Sequence, residues 1–157
     1  MARHSNLAST AARVDRMAEN LRTSMKAKRD AAFIETADAA ARLTPVDTLK
    51  ARTSWNPGIG GVGSQGADGP RLPSASAQEN LRAGKFAETA GRRFTVERTR
   101  LLTQQVVKVD GTLVLTNDAE HIIKLNQGGS PQMPAGGFVQ IAAIEGRRAA
   151  AAVKVVL

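Results

Sequence analysis

Between Leu7 and Arg42 the sequence runs without one glycine or proline, and this run constrains the fold more than any other feature. Ala, Leu, Met, Glu, Lys and Arg dominate it, the residues that lose least on entering a helix. Leu7, Ala11, Val14, Met17, Ala18, Leu21 and Met25 recur at a period near 3.6, and Phe33, Ile34, Ala37 and Ala41 continue the stripe with a small drift. The pattern predicts one long helix over residues 7–42, with Ser5 or Ser9 able to cap its start. Pro45 ends it, because the residue before proline avoids the α region.

Past Pro45, Asp47 and Thr48 have the side chains that bond nearby backbone N–H groups in a turn. Leu49, Ala51, Thr53 and Trp55 then alternate with Lys50, Arg52 and Ser54, which predicts a strand with the two sets on opposite faces. Residues 57–74 hold six glycines and three prolines and are expected to be loop. They lack the Gly-Lys-Ser/Thr ending of a phosphate-gripping loop. Ser76 and Glu79 have capping-box spacing and open a second predicted helix reaching about Thr103. The run Phe94-Thr95-Val96 is also compatible with strand; helix is the preferred reading. Asp110-Gly111 between β-branched runs predicts a hairpin over residues 105–116. Residues 119–126 are expected to form a short helical turn, 127–137 a loop, and Phe138 to Ala152 a last helix. Residues 153–157, Val-Lys-Val-Val-Leu, read as a terminal strand or an adhesive tail. The expected architecture is a single α+β domain over 1–157. In it, a long N-terminal helix and further helices pack on a small, mostly antiparallel β-sheet.

Composition narrows the function. Only 3% of the residues are aromatic, with Trp55 the single tryptophan, so the core should be thin and neighbouring subunits are expected to add burial. No cysteine is present, which removes disulfides, thiolate nucleophiles and cysteine-held metals together. The two histidines leave no zinc set, and neither His4 nor His121 lies in a recognisable catalytic pattern. The chain is therefore expected not to be an enzyme, and no cofactor or metal is expected. No apolar run approaches membrane-spanning length and no apolar leader opens the chain, so a soluble protein made in a cytoplasm is expected, with no membrane partner.

The net charge of +8 lies mostly in the first two thirds of the chain. Arg82, Lys85, Arg92, Arg93, Arg98 and Arg100 fall within nineteen residues. Stacking partners for bases are scarce, and no helix-turn-helix or single-strand-binding pattern accompanies them. A basic nucleic-acid-binding module, acting through charge alone, is the alternative reading that this cluster keeps open.

Two segments carry more information. Thr44-Pro45-Val46-Asp47-Thr48-Leu49-Lys50-Ala51-Arg52-Thr53-Ser54-Trp55 resembles the Thr-Pro-Val-Asp-Thr-Gly-Arg-Ala-Arg-x-x-Trp signature of bacteriophage neck and tail-completion proteins. Farther on, the stretch from Leu115 to Gly136, including Asn117-Asp118, Ile122-Ile123-Lys124-Leu125-Asn126 and Gly128-Gly129-Ser130-Pro131-Gln132-Met133-Pro134-Ala135-Gly136, is similar to that family's Asn-Asn-x-Pro-Tyr-Ile-x-x-Leu-Asn-x-Gly-Ser-Ser-x-Gln-Ala-Pro-Ala-Gly. The order matches, a long helix precedes the first motif, and the resemblance covers roughly residues 10–150. Three departures stand out. Leu49 replaces the family's glycine, Glu120-His121 its Pro-Tyr pair, and Gly129 its first serine.

The resemblance implies a structural virion protein of long-tailed phages, a neck, tail-terminator or head–tail joining component. It would form a homo-oligomeric ring, commonly of six, at the head–tail junction or tail top. That ring would complete the tail, dock on head-closure connector and tail-tube proteins, and leave a channel for double-stranded DNA. The place implied is the virion, after assembly in the host cytoplasm. Pro45, Asp47, Thr48, Trp55, Asn117, Asn126, Gly128, Ser130, Gln132 and Pro134 are then the expected structural or intersubunit residues. Arg82, Lys85, Arg92 and Arg93 are the expected contacts to the DNA channel or to an acidic neighbouring ring.

Overall fold

The computed structural model describes residues 3–45, 51–52, 54–60, 88–129 and 137–156, with backbone alone for 3–7 and 88–95. Its elements in order are helix α1 (Arg3–Leu43), strand β1 (Trp55–Ile59), helix α2 (Glu88–Val106), strand β2 (Leu113–Asn117), the short helix α3 (Ile122–Asn126) and helix α4 (Phe138–Ala152). The α+β class expected from the pattern is the class observed. The long uninterrupted run is one helix, starting four residues before the expected start and ending one residue past the expected end.

Helices α4 and α2 both pack on α1, and both run antiparallel to it. Along the α4 seam, Arg42 pairs with Glu145 at 2.6 Å, Lys28 Nζ donates to the Ala150 carbonyl at 3.1 Å, and the Val156 N–H donates to Ser24 Oγ at 3.1 Å. Between them the two backbones approach closely at Gly146. A Cβ on that residue would lie 2.6 Å from the Ala32 carbonyl oxygen and would collide with the Thr36 hydroxyl. The α2 seam is marked by Lys26 Nζ, which donates to the Val107 carbonyl at 2.9 Å. Buried Thr99, Leu102, Thr103 and Val107 recur at helical spacing on α2.

Strands β1 and β2 form a two-stranded antiparallel ribbon, Trp55 opposite Asn117 and Ile59 opposite Leu113. Three expectations are corrected here. The hairpin over 105–116 does not form. Residues 105 and 106 are helical, Val107 is buried, and Leu113–Asn117 pairs with the distant β1 instead. The strand expected before Trp55 begins at Trp55, and Ala51 and Arg52 are helical. The Pro57-Gly58 stretch, expected to be loop, is strand. The Gly60 N–H bonds to the Thr112 carbonyl opposite it, so hydrogen-bonded pairs alternate from there and the ring nitrogen of Pro57 points away from β2. Proline is tolerated at such an edge position because no ladder bond is lost.

Between residues 88 and 106 the choice of helix over strand holds at Phe94-Thr95-Val96. The expected start at Ser76 lies outside the described residues. The last helix has the expected bounds. Val153 leaves α4 in an extended conformation, and residues 153–156 form no strand among the described residues. No described helix is long and apolar enough to cross a membrane.

The core is small in side chains. Ala39, Ala40, Ala41, Ala51, Ala119 and Ala142 supply most of it, with Leu125, Trp55 and Phe138 as its large members. The Trp55 and Phe138 rings meet edge to face, 6.4 Å between centroids, a geometry aromatic quadrupoles favour.

Candidate functional site

The first motif takes over where α1 stops. A helix end leaves carbonyls without partners, and here the sequence supplies them. The Thr44 hydroxyl donates to the Ala40 carbonyl at 2.6 Å and accepts the Trp55 indole N–H at 2.8 Å. Arg52 folds back from eight residues on. Its guanidinium donates twice to the Thr44 carbonyl, at 2.5 and 3.1 Å, and once to the Arg42 carbonyl at 3.1 Å. Only 3% of Arg52 is exposed. It therefore closes the C-terminal end of α1, where a cation also opposes the negative pole of the helix. The expected placement of Ala51 and Arg52 on opposite faces of a strand is corrected, because both residues are helical and both are buried.

The second motif meets the first at the end of the ribbon. The Asn117 amide donates to the Ala51 carbonyl at 2.8 Å, and its oxygen accepts the Ala119 N–H at 2.9 Å, closing an Asx turn at the end of β2. One register step inward, the Asn56 amide donates to the Asp118 carboxylate at 2.9 Å. Arg98 reaches from α2 to the Trp55 carbonyl at 3.4 Å, and burial lowers its pKa from the usual arginine value. That direction still leaves a guanidinium charged at neutral pH.

Asn126 does similar work at the other end of the motif. Its side-chain oxygen accepts the Val139 N–H at 3.0 Å, and its amide donates to Gln140 Oε1 at 3.1 Å. Gly137 stands at the cap position of α4 with φ 79°, and a Cβ there would lie 2.9 Å from the Asn126 carbonyl oxygen. A glycine brings no capping side chain, so α3 supplies one from outside the helix. Gly128, with φ 94°, ends α3 and donates its N–H to the Leu125 carbonyl.

Of the residues expected from sequence, Trp55, Asn117 and Pro45 gather at the end of α1, while Asn126 and Gly128 sit at the α3–α4 corner beside Phe138. Trp55 is in the intrachain core, 5% exposed. Asp47, Thr48, Ser130, Gln132, Pro134, Arg82 and Lys85 lie outside the described residues. Arg92 and Arg93 lie on α2, with only their backbone described. Arg52, Thr44 and Asn56 complete the junction and are not marked as site residues by the sequence, while Arg98, counted there only within the basic cluster, reaches into the junction instead. The one available signal was an arginine placed shortly after a helix whose final carbonyls need donors. Among the described residues no group of three or more His, Cys, Asp or Glu side chains could hold a metal ion. The junction is packed with amide, hydroxyl and guanidinium bonds, and what it accomplishes is fixing three chain segments in one geometry.

No protein family, curated protein or solved structure matches this chain.

Proposed function

We propose that this chain is a structural virion protein, forming a ring at the head–tail junction or tail top of a long-tailed phage. The ring completes the tail, joins it to the head connector and leaves a channel for DNA. One observation supports the reading above the others. The two motif segments that resemble the neck and tail-completion family meet side by side, through an Asn117 to Ala51 bond that spans sixty-six residues of sequence. The residues of the resemblance thus act as one structural unit, and a unit of that kind serves to present loops in a fixed geometry. In this reading the Gly/Pro-rich stretch 57–74, the N-terminal arm and the C-terminal Val-Lys-Val-Val-Leu face neighbouring subunits, and some arginines of the 82–100 stretch face DNA or an acidic ring.

A side-chain-resolution reconstruction of the head–tail junction tests the proposal. The expected result is this chain as a closed ring between connector and tail tube; its absence from the junction would overturn the reading. A gel-shift series addresses the alternative. A basic nucleic-acid module would bind duplex DNA as a monomer or dimer with steep salt dependence, whereas the ring protein is expected to co-sediment with tails. Reversing the charges of Arg92 and Arg93 together is expected to reduce infectivity, and unchanged infectivity would remove them from the channel.

A further inference from the structure

Among the described residues, no other element packs over the N-terminal half of α1. Every described side chain from Ala8 to Thr23 is exposed, over a segment in which the helix is continuous. Large apolar residues sit on it in a row. Val14 is 58% exposed, Met17 and Leu21 follow at helical spacing, and Met25 is 56% exposed. The row is in phase with Ser24, Lys28, Ala32 and Thr36, the residues along which α4 and its extended tail lie. It is therefore the same face of α1, continued past the point where α4 and its tail stop.

A second exposed apolar surface lies, among the described residues, at the opposite end of α1. Ile123 on α3 is 69% exposed, and Val139 at the start of α4 is also exposed. Both belong to the corner that Asn126 and Phe138 tie to Trp55 and the end of α1. The two surfaces cannot meet within one chain. Leu21 and Val14 stand roughly 35–45 Å from Thr44 along an unbroken helix, at 1.5 Å per residue.

We propose that the free half of α1 docks on the Ile123–Val139 corner of a second copy of this chain, head to tail. Three features favour that occupant. The donor and acceptor surfaces are different and lie at opposite ends, the arrangement that heterologous contacts need to close a ring. The arm spans about 30 Å, the width of a small domain, so it reaches across a neighbour. Its charge also suits the corner: Arg3, Arg13, Arg16 and Arg22 outnumber Asp15 and Glu19 on the arm, whereas Asp118 and Glu120 outnumber Lys124 at the corner. Two arms laid against each other would instead bring like net charge together. This inference deepens the ring proposal by naming its contact, and it needs neither a virion nor DNA.

The test uses the full chain and two charge variants at exposed positions, Leu21→Glu on the arm and Ile123→Glu on the corner. Circular dichroism checks folding, and sedimentation velocity reads assembly. Wild type is expected to associate as concentration rises, and each variant alone to lose every species larger than monomer. A mixture of the two variants keeps one intact arm and one intact corner, so it should form a 1:1 dimer and stop there. If Ile123→Glu assembles like wild type, the contact is arm to arm and the inference fails. If both variants still form rings, this contact is overturned while the ring reading stands. A wild type that stays monomeric at its highest soluble concentration overturns the contact, and the junction reconstruction then judges the ring reading separately.

Discussion

The two halves of α1 share one backbone geometry and meet opposite surroundings. In the C-terminal half the buried residues are small: Ala37, Ala39, Ala40 and Ala41 are almost fully enclosed. Toward the N-terminal end the residues left in solvent include large apolar ones: Val14, Met17, Leu21 and Met25. Size and burial are inverted along a single helix. The packed half shows that this fold is held by close backbone approach, helix on helix across alanine and Gly146, with Trp55 and Phe138 filling one corner. The free half carries the side chains that could supply most apolar area. The four are about half exposed, so completing their burial would add roughly 3–6 kcal/mol, half of the ~1.5–3 kcal/mol that full burial gives each. A quantity of that order is comparable with the lower end of a typical domain's stability, about 5–15 kcal/mol.

Substitutions sharpen this contrast, since those in the packed half should unfold the chain and those in the free half should not. Trp55→Ala is expected to cost most, about 3–5 kcal/mol, because it empties the largest part of the core and strands the Thr44 hydroxyl. Urea unfolding of the variant measures it, and a loss under 1 kcal/mol would show the end of α1 to be weakly anchored. Arg52→Met comes next. It keeps bulk but leaves the carbonyls of Thr44 and Arg42 without the donors they have, a loss of about 1–3 kcal/mol readable as a lower Tm.

Gly146→Ala sets two terms against each other. Alanine improves helix propensity by about 1 kcal/mol, while overpacking typically costs about 1–3 kcal/mol. The nearest obstacle includes the backbone carbonyl of Ala32, which cannot rotate aside, so net destabilisation is expected. A stabilised variant in the same unfolding assay would mean that α4 can shift along α1. The smallest effect belongs to the free half. Leu21→Ser should change monomer stability by no more than about 0.5 kcal/mol, the usual range for surface positions, and a larger drop would reveal cover on the arm from within the chain.

The helices were legible because their evidence is local. No breaker interrupts the first long run, and Gly137 and Val153 bracket the last helix. The ribbon was not legible, because its evidence is remote. Asp110-Gly111 signalled a local hairpin, yet Gln105 and Val106 continue a helix whose Thr99, Thr103 and Val107 are buried, so the strand after the glycine had to find β1 instead. Pro57 read as loop because the side on which its nitrogen falls is visible only once the register is known. At the junction, Trp55 and Asn117 stood out through the motif resemblance. Arg52 did not, since in an alternating stretch a charged residue is set on the face away from the apolar ones until the helix end it serves is in view.

The unbroken geometry of α1 has a mechanical consequence. A continuous helix behaves as a stiff lever with its fulcrum in the packed half, and a tilt of about 5° there would sweep the far tip by roughly 3 Å, given the ~30 Å length of the projecting part. The seam against α4, with Gly146 as its tightest point, therefore governs where the distant end of the rod lies, so a small repacking there would be magnified at the tip.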